Sequence, residues 1–127
     1  MDATPTTIAA KRGLCTLINV FTVEPARQEE LVKLLEEATE QVMRHLPGFI
    51  SANLHRGLEG TRVANYAQWA SREHFEAMLR NPKAQTHLRG AAALVERFEP
   101  HLYEVVSTHS RVQVEARPAH LCEDEPS

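Results

Sequence analysis

Residues 47–70 read PGFISANLHRGLEGTRVANYAQWA, and this stretch contains two strand patterns separated by a short turn. Residues 49–56 and 61–70 have the length and composition of strands, and the glycine-containing residues 57–60 lie between them. So short a connection predicts that the two strands form an antiparallel hairpin. Pro47-Gly48 stands immediately before the hairpin and is typical of the end of a helix.

Upstream of the hairpin, the sequence predicts one strand followed by one long helix. Residues 14–23, LCTLINVFTV, are apolar and β-branched, which favours a buried strand. Pro25 follows, and proline is favoured in the first turn of a helix. Residues 26–46 repeat apolar side chains with the 3.6-residue period of an amphipathic helix, at Leu31, Leu34, Leu35, Ala38 and Val42.

Downstream of the hairpin, the sequence predicts two helices and a last strand. Ser71 is a candidate N-cap for the first of these helices. Asn81-Pro82 breaks the helical pattern, and a second helix is expected over residues 83–98, ended by Glu99-Pro100. A fourth strand is expected over residues 101–108. The second helix is expected to bury Leu88, Ala91, Leu94 or Val95, and Phe98.

The resulting order is βαββαβ, with the second helix interrupted. It predicts an α+β fold, the ferredoxin-like sandwich, in which an antiparallel sheet carries its helices on one face. The opposite face would expose an apolar patch that is too large for a monomer, at Ile18, Val20, Ala64 and Tyr66. We therefore expect a homodimer in which two protomers pack sheet to sheet, as a dimeric α/β barrel.

Three segments are expected along the chain. Residues 13–110 form the ferredoxin-like domain. Residues 1–12 are polar and are expected to be a flexible N-terminal arm. Residues 111–127 form a C-terminal extension rich in proline and acidic residues, which we expect to be partly disordered. This extension contains Cys122, and the sequence leaves open whether it crosses to the partner.

Composition excludes several classes of function. The 127 residues include 14 Lys plus Arg and 17 Asp plus Glu, giving a formal charge of −3 that favours binding to neither nucleic acid nor an anionic membrane.

No signal peptide or membrane span is recognisable in the sequence, so a cytoplasmic location is expected. The cysteines, Cys15 and Cys122, form no CxxC motif, and the seven histidines show no metal-binding spacing, so no metal site is expected.

Neutral polar residues interrupt the two strands expected at the centre of the sheet. Asn65, Ala67 and Trp69 share one face of their strand because they are spaced by two. Asn19 occupies the middle of the first strand, and asparagine is depleted in strands. A buried amide without a partner costs about 1–3 kcal/mol, so these side chains need a partner. That partner is either the neighbouring backbone, with the indole as ordinary core, or a bound ligand.

These residues carry a family resemblance that spans roughly residues 14–108. Pro47-Gly48-Phe49, the run Asn65-Tyr66-Ala67-Gln68-Trp69, and then Ser71 and Phe75 resemble the antibiotic biosynthesis monooxygenase family, a member of the dimeric α/β-barrel superfamily. Within that family, Asn19 together with the Asn-x-Ala-x-Trp run is most similar to the cofactor-independent, anthrone-type, quinone-forming oxygenases.

The resemblance implies an activity. Such enzymes are homodimers that oxidise a polycyclic phenol to a quinone with molecular oxygen as co-substrate and no cofactor. Asn65 and Trp69 would then donate hydrogen bonds to the enolate of the aromatic substrate, and Asn19 would orient the reacting carbonyl or the peroxide formed from it. Removing one such donor typically slows an enzyme by about 10²–10³-fold.

Other residues are candidates for roles at the same site. Arg89 resembles a family position for an arginine that approaches the substrate, and His87 is a candidate proton acceptor. Both positions also suit ordinary helix-surface residues. Phe75 stands where some relatives carry tyrosine, so no phenolic proton donor is expected there. The expected pocket wall, for which plain core packing is the alternative, consists of Phe75, Met78, Leu79, Leu94 and Tyr103.

Two other functions remain open. A haem-degrading oxygenase of the same superfamily would use Asn19 and His87, although Met78 stands where the haem-distorting tryptophan is expected. A barrel that isomerises, cyclises or only binds a small aromatic molecule would have the same apolar cavity. Oxygen uptake and haem binding distinguish the three.

Overall fold

The computed structural model describes residues 5–10 and 12–112, and within them a single antiparallel sheet carries a layer of three helices. The sheet order is β2-β3-β1-β4. The ferredoxin-like fold is therefore confirmed. The strands are β1 (Cys15–Thr22), β2 (Phe49–Arg56), β3 (Arg62–Trp69) and β4 (Arg97–Tyr103), and the helices are α1 (Gln28–Gln41), α2 (Arg72–Leu79) and α3 (Pro82–Leu94).

Short polar side chains begin two of the helices. The Ser71 hydroxyl accepts a hydrogen bond from the His74 amide at 3.1 Å, which caps α2 as the sequence predicts. Asn81 Oδ1 accepts from the Lys83 and Ala84 amides at 2.9 and 3.1 Å and caps α3. The long helix predicted over residues 26–46 is shorter, because 3₁₀ turns over residues 25–27 and 43–45 flank α1.

The last strand begins earlier than the sequence predicts. The helix expected over residues 83–98 ends at Leu94, and β4 already pairs with β1 from Arg97. Pro100 therefore lies inside a strand, opposite Asn19, rather than at the end of a helix. An edge strand can include a proline because it needs fewer backbone donors. The Phe98 ring packs 6.3 Å from that of Phe21, and β4 ends at Tyr103, short of the expected residue 108.

The sheet has two different faces because side chains alternate along each strand. Asn19 pairs with Asn65 and Leu17 with Ala67, and these residues face the helices together with Trp69. The residues between them in sequence form the outer face. As predicted, that face carries Ile18, Val20, Ala64 and Tyr66, all of them half-buried.

Part of the outer face is covered by the chain itself. The Thr6 hydroxyl donates to Asn53 Oδ1 at 2.8 Å, and Gln68 Nε2 donates to the Thr7 carbonyl at 3.0 Å. Residues 5–10 thus lie over β2 and β3. The predicted C-terminal extension, with Cys122, lies outside the described residues apart from residues 111 and 112. None of the helices in the described ranges is long and apolar enough to cross a membrane.

Candidate active site

A cavity of about 670 Å³ lies between the sheet and the helices. This volume is within the usual range of small-molecule sites. The cavity is present because the sheet has small side chains here. Ala52 on β2 and Ala67 on β3 are register partners in adjacent strands, and both are on the face that carries the helices. Above them, α3 contributes Ala91 and Ala92, so methyl groups occupy positions where a filled core would have larger side chains.

Three polar residues of the lining have a buried side-chain atom without a hydrogen-bond partner among the described residues. Asn19 Oδ1, Asn65 Oδ1 and Trp69 Nε1 are buried and have no hydrogen-bond partner in the described part of the chain. All three residues line the cavity. The alternative raised by the sequence, that neighbouring backbone groups satisfy them, is not what the structure shows. Each unpaired group costs about 1–3 kcal/mol, and a ligand carrying hydroxyl and carbonyl groups would recover that free energy.

The two amides lie side by side, and the indole lies farther along the same strand. Asn19 and Asn65 are directly opposite in the β1–β3 ladder, so their Cβ atoms are about 4.5–5.5 Å apart. Trp69 is only 2% exposed, and its ring is held edge-on by Phe49 at 5.5 Å and Phe75 at 6.4 Å. The cavity therefore has polar groups near its middle and a fixed aromatic wall at one end.

The charged or titratable residues of the lining include Arg72 and His87, and the lining contains no Asp or Glu among the described residues. His101 also borders the cavity, but its side chain lies on the outer face of the sheet, opposite Ile18 and with its ring 6.5 Å from that of Tyr103. His87 Nδ1 lies 3.2 Å from the Lys83 carbonyl. Because a carbonyl oxygen only accepts, Nδ1 carries the hydrogen in this contact, and the lone pair of the neutral ring is on Nε2. His87 is therefore a residue of the lining whose neutral ring can accept a proton.

Several of the predicted wall residues do line the cavity, and three of the predicted site residues do not. The lining includes Phe75, Met78, Leu79 and His87. Arg89 is exposed outside it, since two residues along a helix turn the side chain by about 200° from His87. Leu94 packs instead with the core around Phe21 and Leu31. Tyr103 pairs with Thr16 and lies on the outer face of the sheet. For these three residues, the expectation of substrate contact is corrected.

The structure adds lining residues that the sequence analysis did not identify. Arg72 lies in the lining, where the sequence predicts Arg89, and its signal in the sequence is its place in the first turn of the helix that follows Trp69. Phe98, Pro100 and Leu102 enter from β4. The sequence pattern places residues 98 and 100 in a helix and at its end, so it does not predict that these two line a cavity.

Two titratable groups outside the lining have shifted pKa values. Burial raises the pKa of the Cys15 thiol, an effect that Arg72 opposes and that Glu73 and Glu76 reinforce. Cys15 is packed in the core next to the strand end that holds Trp69. On the surface, a hydrogen bond from Arg56 to Glu29 raises the pKa of the guanidinium. Neither group takes part in the cavity.

The family comparison and the comparison with curated proteins both match this chain to monooxygenases. The family model described as antibiotic biosynthesis monooxygenase matches residues 15–90. Among curated proteins, the tetracenomycin-F1 monooxygenase of Streptomyces glaucescens is 44% identical over 104 residues, which cover 82% of this chain and 90% of the relative.

Solved structures show the same fold at low sequence identity. The ActVA-Orf6 monooxygenase of Streptomyces coelicolor, in complex with nanaomycin D, is similar with a TM-score of 0.69 and 24% identity, covering 79% of this chain and 93% of that one. A variant of SnoaB from Streptomyces nogalater, a cofactor-independent oxygenase, gives a TM-score of 0.63 and 22% identity over 83% of this chain and 99% of that one.

Proposed function

The chain belongs to the antibiotic biosynthesis monooxygenase family, and from this premise we propose that it oxidises an anthrone-type polycyclic phenol to a quinone with molecular oxygen and no cofactor. The similarity to the tetracenomycin-F1 monooxygenase supports a substrate from aromatic polyketide synthesis. The similarity to SnoaB supports the absence of a cofactor.

One observation carries the proposal: Asn19 Oδ1, Asn65 Oδ1 and Trp69 Nε1 are buried without a hydrogen-bond partner among the described residues, and all three residues line a cavity whose walls are mostly apolar. An asparagine offers one acceptor oxygen and two N–H donors, and an indole offers one donor. Phenolic hydroxyls and ring carbonyls are matching partners. An apolar ring system between them would occupy the space left by the alanines.

The reaction needs only the substrate and oxygen. An anthrone carries an acidic CH₂ group between its rings, conjugated to a carbonyl, and loss of one proton gives an electron-rich enolate. The enolate transfers electrons to O₂ and forms a C–O bond, which gives a peroxide. Loss of water from this peroxide leaves the quinone carbonyl, so one oxygen atom enters the product and the other leaves in water. Substrate electrons reduce the oxygen, and no external reductant is required.

The side chains fit this sequence of steps. His87 Nε2 is the proton acceptor for the CH₂ group, since its Nδ1 is already occupied by the Lys83 carbonyl. Donors fixed in an apolar site stabilise developing negative charge without reorganisation, which is the role we assign to the Asn65 amide and the Trp69 N–H. Asn19, directly opposite Asn65, orients the carbonyl or the peroxide.

We also infer that the protein is a homodimer. The apolar outer face at Ile18, Val20, Ala64 and Tyr66 continues towards Tyr103, which is 49% exposed. The arm over residues 5–10 covers β2 and β3 but leaves β1 and β4 available. A second copy packed sheet to sheet would remove this patch from water.

An oxygen-electrode assay with dithranol, a dihydroxyanthrone, tests the function. We expect uptake of one O₂ per quinone formed, at a rate above spontaneous oxidation, with metal-free protein that has been dialysed against EDTA. The Ala67→Leu variant, whose cavity is filled, is the folded control and should give only the spontaneous rate. Conversion of dithranol without O₂ uptake would favour an isomerase or cyclase. Haem turnover with a Soret band, and no activity on dithranol, would favour the haem-degrading alternative.

A further inference from the structure

The cavity lining contains a cationic side chain and no carboxylate among the described residues, although the chain as a whole is acidic. The sequence contains 17 Asp plus Glu against 14 Lys plus Arg. The cationic residue of the lining is Arg72. Its guanidinium is complementary to an anionic group on a ligand.

We propose that Arg72 is a specificity-determining residue that binds a carboxylate on the aromatic substrate. The inference rests on the proposed function and extends it, because it narrows the substrate class to polycyclic aromatic carboxylic acids. Arg72 begins α2, three residues after Trp69. A ring system lying against the indole therefore has the guanidinium at the cavity rim, within reach of a substituent that points outwards.

Arg72 is available for this role. Its side chain is 71% exposed, and its one ion pair joins Nε to Glu76 Oε2 at 3.2 Å. The two terminal nitrogens of the guanidinium make no hydrogen bond to other described residues. Exposed pairs one helical turn apart contribute little to stability, so Glu76 is a weak competitor. Arginine binds a carboxylate through two parallel N–H···O bonds, a geometry that a lone phenolate oxygen does not offer.

The position of Trp69 allows ligand binding to be measured directly by fluorescence. Trp69 is the chain's only tryptophan, and it lines the cavity. Quenching of its fluorescence therefore reports occupancy of this cavity, independently of any reaction with oxygen. Anthraquinone-2-carboxylate and its neutral carboxamide are suitable probes, since they differ in charge and have nearly the same shape.

We expect wild-type protein to bind the carboxylate at least about tenfold more tightly than the carboxamide, as for a charge-assisted bidentate contact. Arg72→Gln should reduce this preference to about twofold or less, with little change in the affinity for the carboxamide. Arg72→Lys retains the charge without the planar fork and should give an intermediate preference. Arg80→Gln is the matched control on an exposed arginine outside the lining, and it should behave as wild type.

Equal affinity of wild-type protein for the two probes would overturn the proposal. A carboxylate preference that survives in both Arg72 variants, or that Arg80→Gln removes as effectively, would also overturn it. The dithranol assay separates this inference from the proposed function. Oxygen uptake without a carboxylate preference refutes only the role of Arg72, whereas a preference without oxygen uptake, on dithranol and on an anthrone that carries a carboxylate, refutes the oxygenase proposal.

Discussion

Asn19 and Asn65 face each other across the two central strands, and the side-chain oxygen of each is buried without a hydrogen-bond partner. Two buried amide oxygens without partners at the centre of a sheet are unfavourable for folding. A sequence selected only for stability would place apolar residues there. The pair is therefore the basis of the binding role that we propose for this part of the sheet, and it gives the proposal a test in which activity and stability change in opposite directions.

Asn65→Leu should lower the rate of oxygen uptake by about 10²–10³-fold, because a donor to the developing oxyanion is lost. The same change should leave stability unchanged or raise it by up to about 1–3 kcal/mol, because an unsatisfied buried amide is removed. Steady-state oxygen uptake and urea unfolding measure the two effects.

Asn53→Leu is the control for this pair of measurements. Its amide on the outer face is satisfied, with Nδ2 donating to the Tyr66 carbonyl at 3.1 Å and Oδ1 accepting from Thr6. Its loss should reduce stability by about 1 kcal/mol and preserve the rate per folded molecule. A stability loss in Asn65→Leu as large as that in Asn53→Leu would contradict the assignment of an unpaired amide.

Ala67→Leu should abolish binding of the aromatic probes while the fold is retained. Ala67 is only 3% exposed and packs with Leu17 and Trp69, so the added side chain should cost about 1–3 kcal/mol of overpacking while it takes up space in the cavity. Fluorescence titration and thermal unfolding check the two parts. The exposed Ala77→Leu on α2 serves as control and should leave binding intact. Undiminished probe affinity in Ala67→Leu would place the binding site elsewhere.

Val20→Glu should convert the proposed homodimer to a monomer. A carboxylate at the centre of the outer face would have to be buried without a partner in a sheet-to-sheet interface, and this is strongly unfavourable. Analytical ultracentrifugation over a range of concentrations measures the change. Gln41→Glu adds the same charge at an exposed position of α1 and should remain dimeric. A wild-type protein that sediments as a monomer would refute the homodimer itself.

Gly48→Ala should destabilise the protein much more than Gly13→Ala. Both glycines have positive φ, 83° and 75°, so each substitution carries a strain of about 1–2 kcal/mol. At Gly48 the new Cβ would also overlap the imidazole of His74, whereas at Gly13 no atom lies within 4 Å. The difference between the two unfolding free energies isolates this overlap. His74→Ala should recover part of it, and equal losses at the two glycines would argue against the close approach.

Stability should fall at alkaline pH because of Cys15. Burial raises the pKa of its thiol above the ordinary value of 9.0, so the native state holds the proton more tightly than the unfolded chain does. The resulting stabilisation is present below pH 9.0 and is lost as pH rises through the native pKa. Urea unfolding between about pH 7 and pH 10 should show a steeper decline for Cys122→Ser than for the Cys15→Ala, Cys122→Ser double variant. Parallel declines would mean that the thiol is not shielded.

The sequence predicts the centre of the sheet better than its edge. Asn65 and Trp69 could be placed on one face because strand side chains alternate, and Asn19 could be placed beside them because β1 and β3 are both apolar. The edge strand β4 reads RFEPHLY, whose charges and proline hide the strand pattern, so its start was assigned to a helix. Its pairing with β1 depends on contacts such as Phe98 with Phe21, which local sequence does not show.

The rim of the site was harder to predict than its polar centre. An exposed arginine in a helix has no periodic signature, so Arg72 and Arg89 are equivalent until the helices are placed over the sheet. Tyr103 was assigned to the pocket although its register opposite Thr16 puts it on the other face. A shift of one residue in strand register exchanges the two faces, and the sequence of an edge strand constrains register weakly.

Pro100 has a further consequence for the behaviour of this protein at high concentration. A strand at the border of a sheet is a template on which another chain can add by backbone pairing, the first step towards fibrils. β4 counters this because Pro100 has no amide hydrogen and because the charged residues Arg97 and Glu99 precede it in the strand. Replacing this proline with valine would create a continuous hydrogen-bonding edge, and turbidity on prolonged storage would reveal the protection that the ring provides.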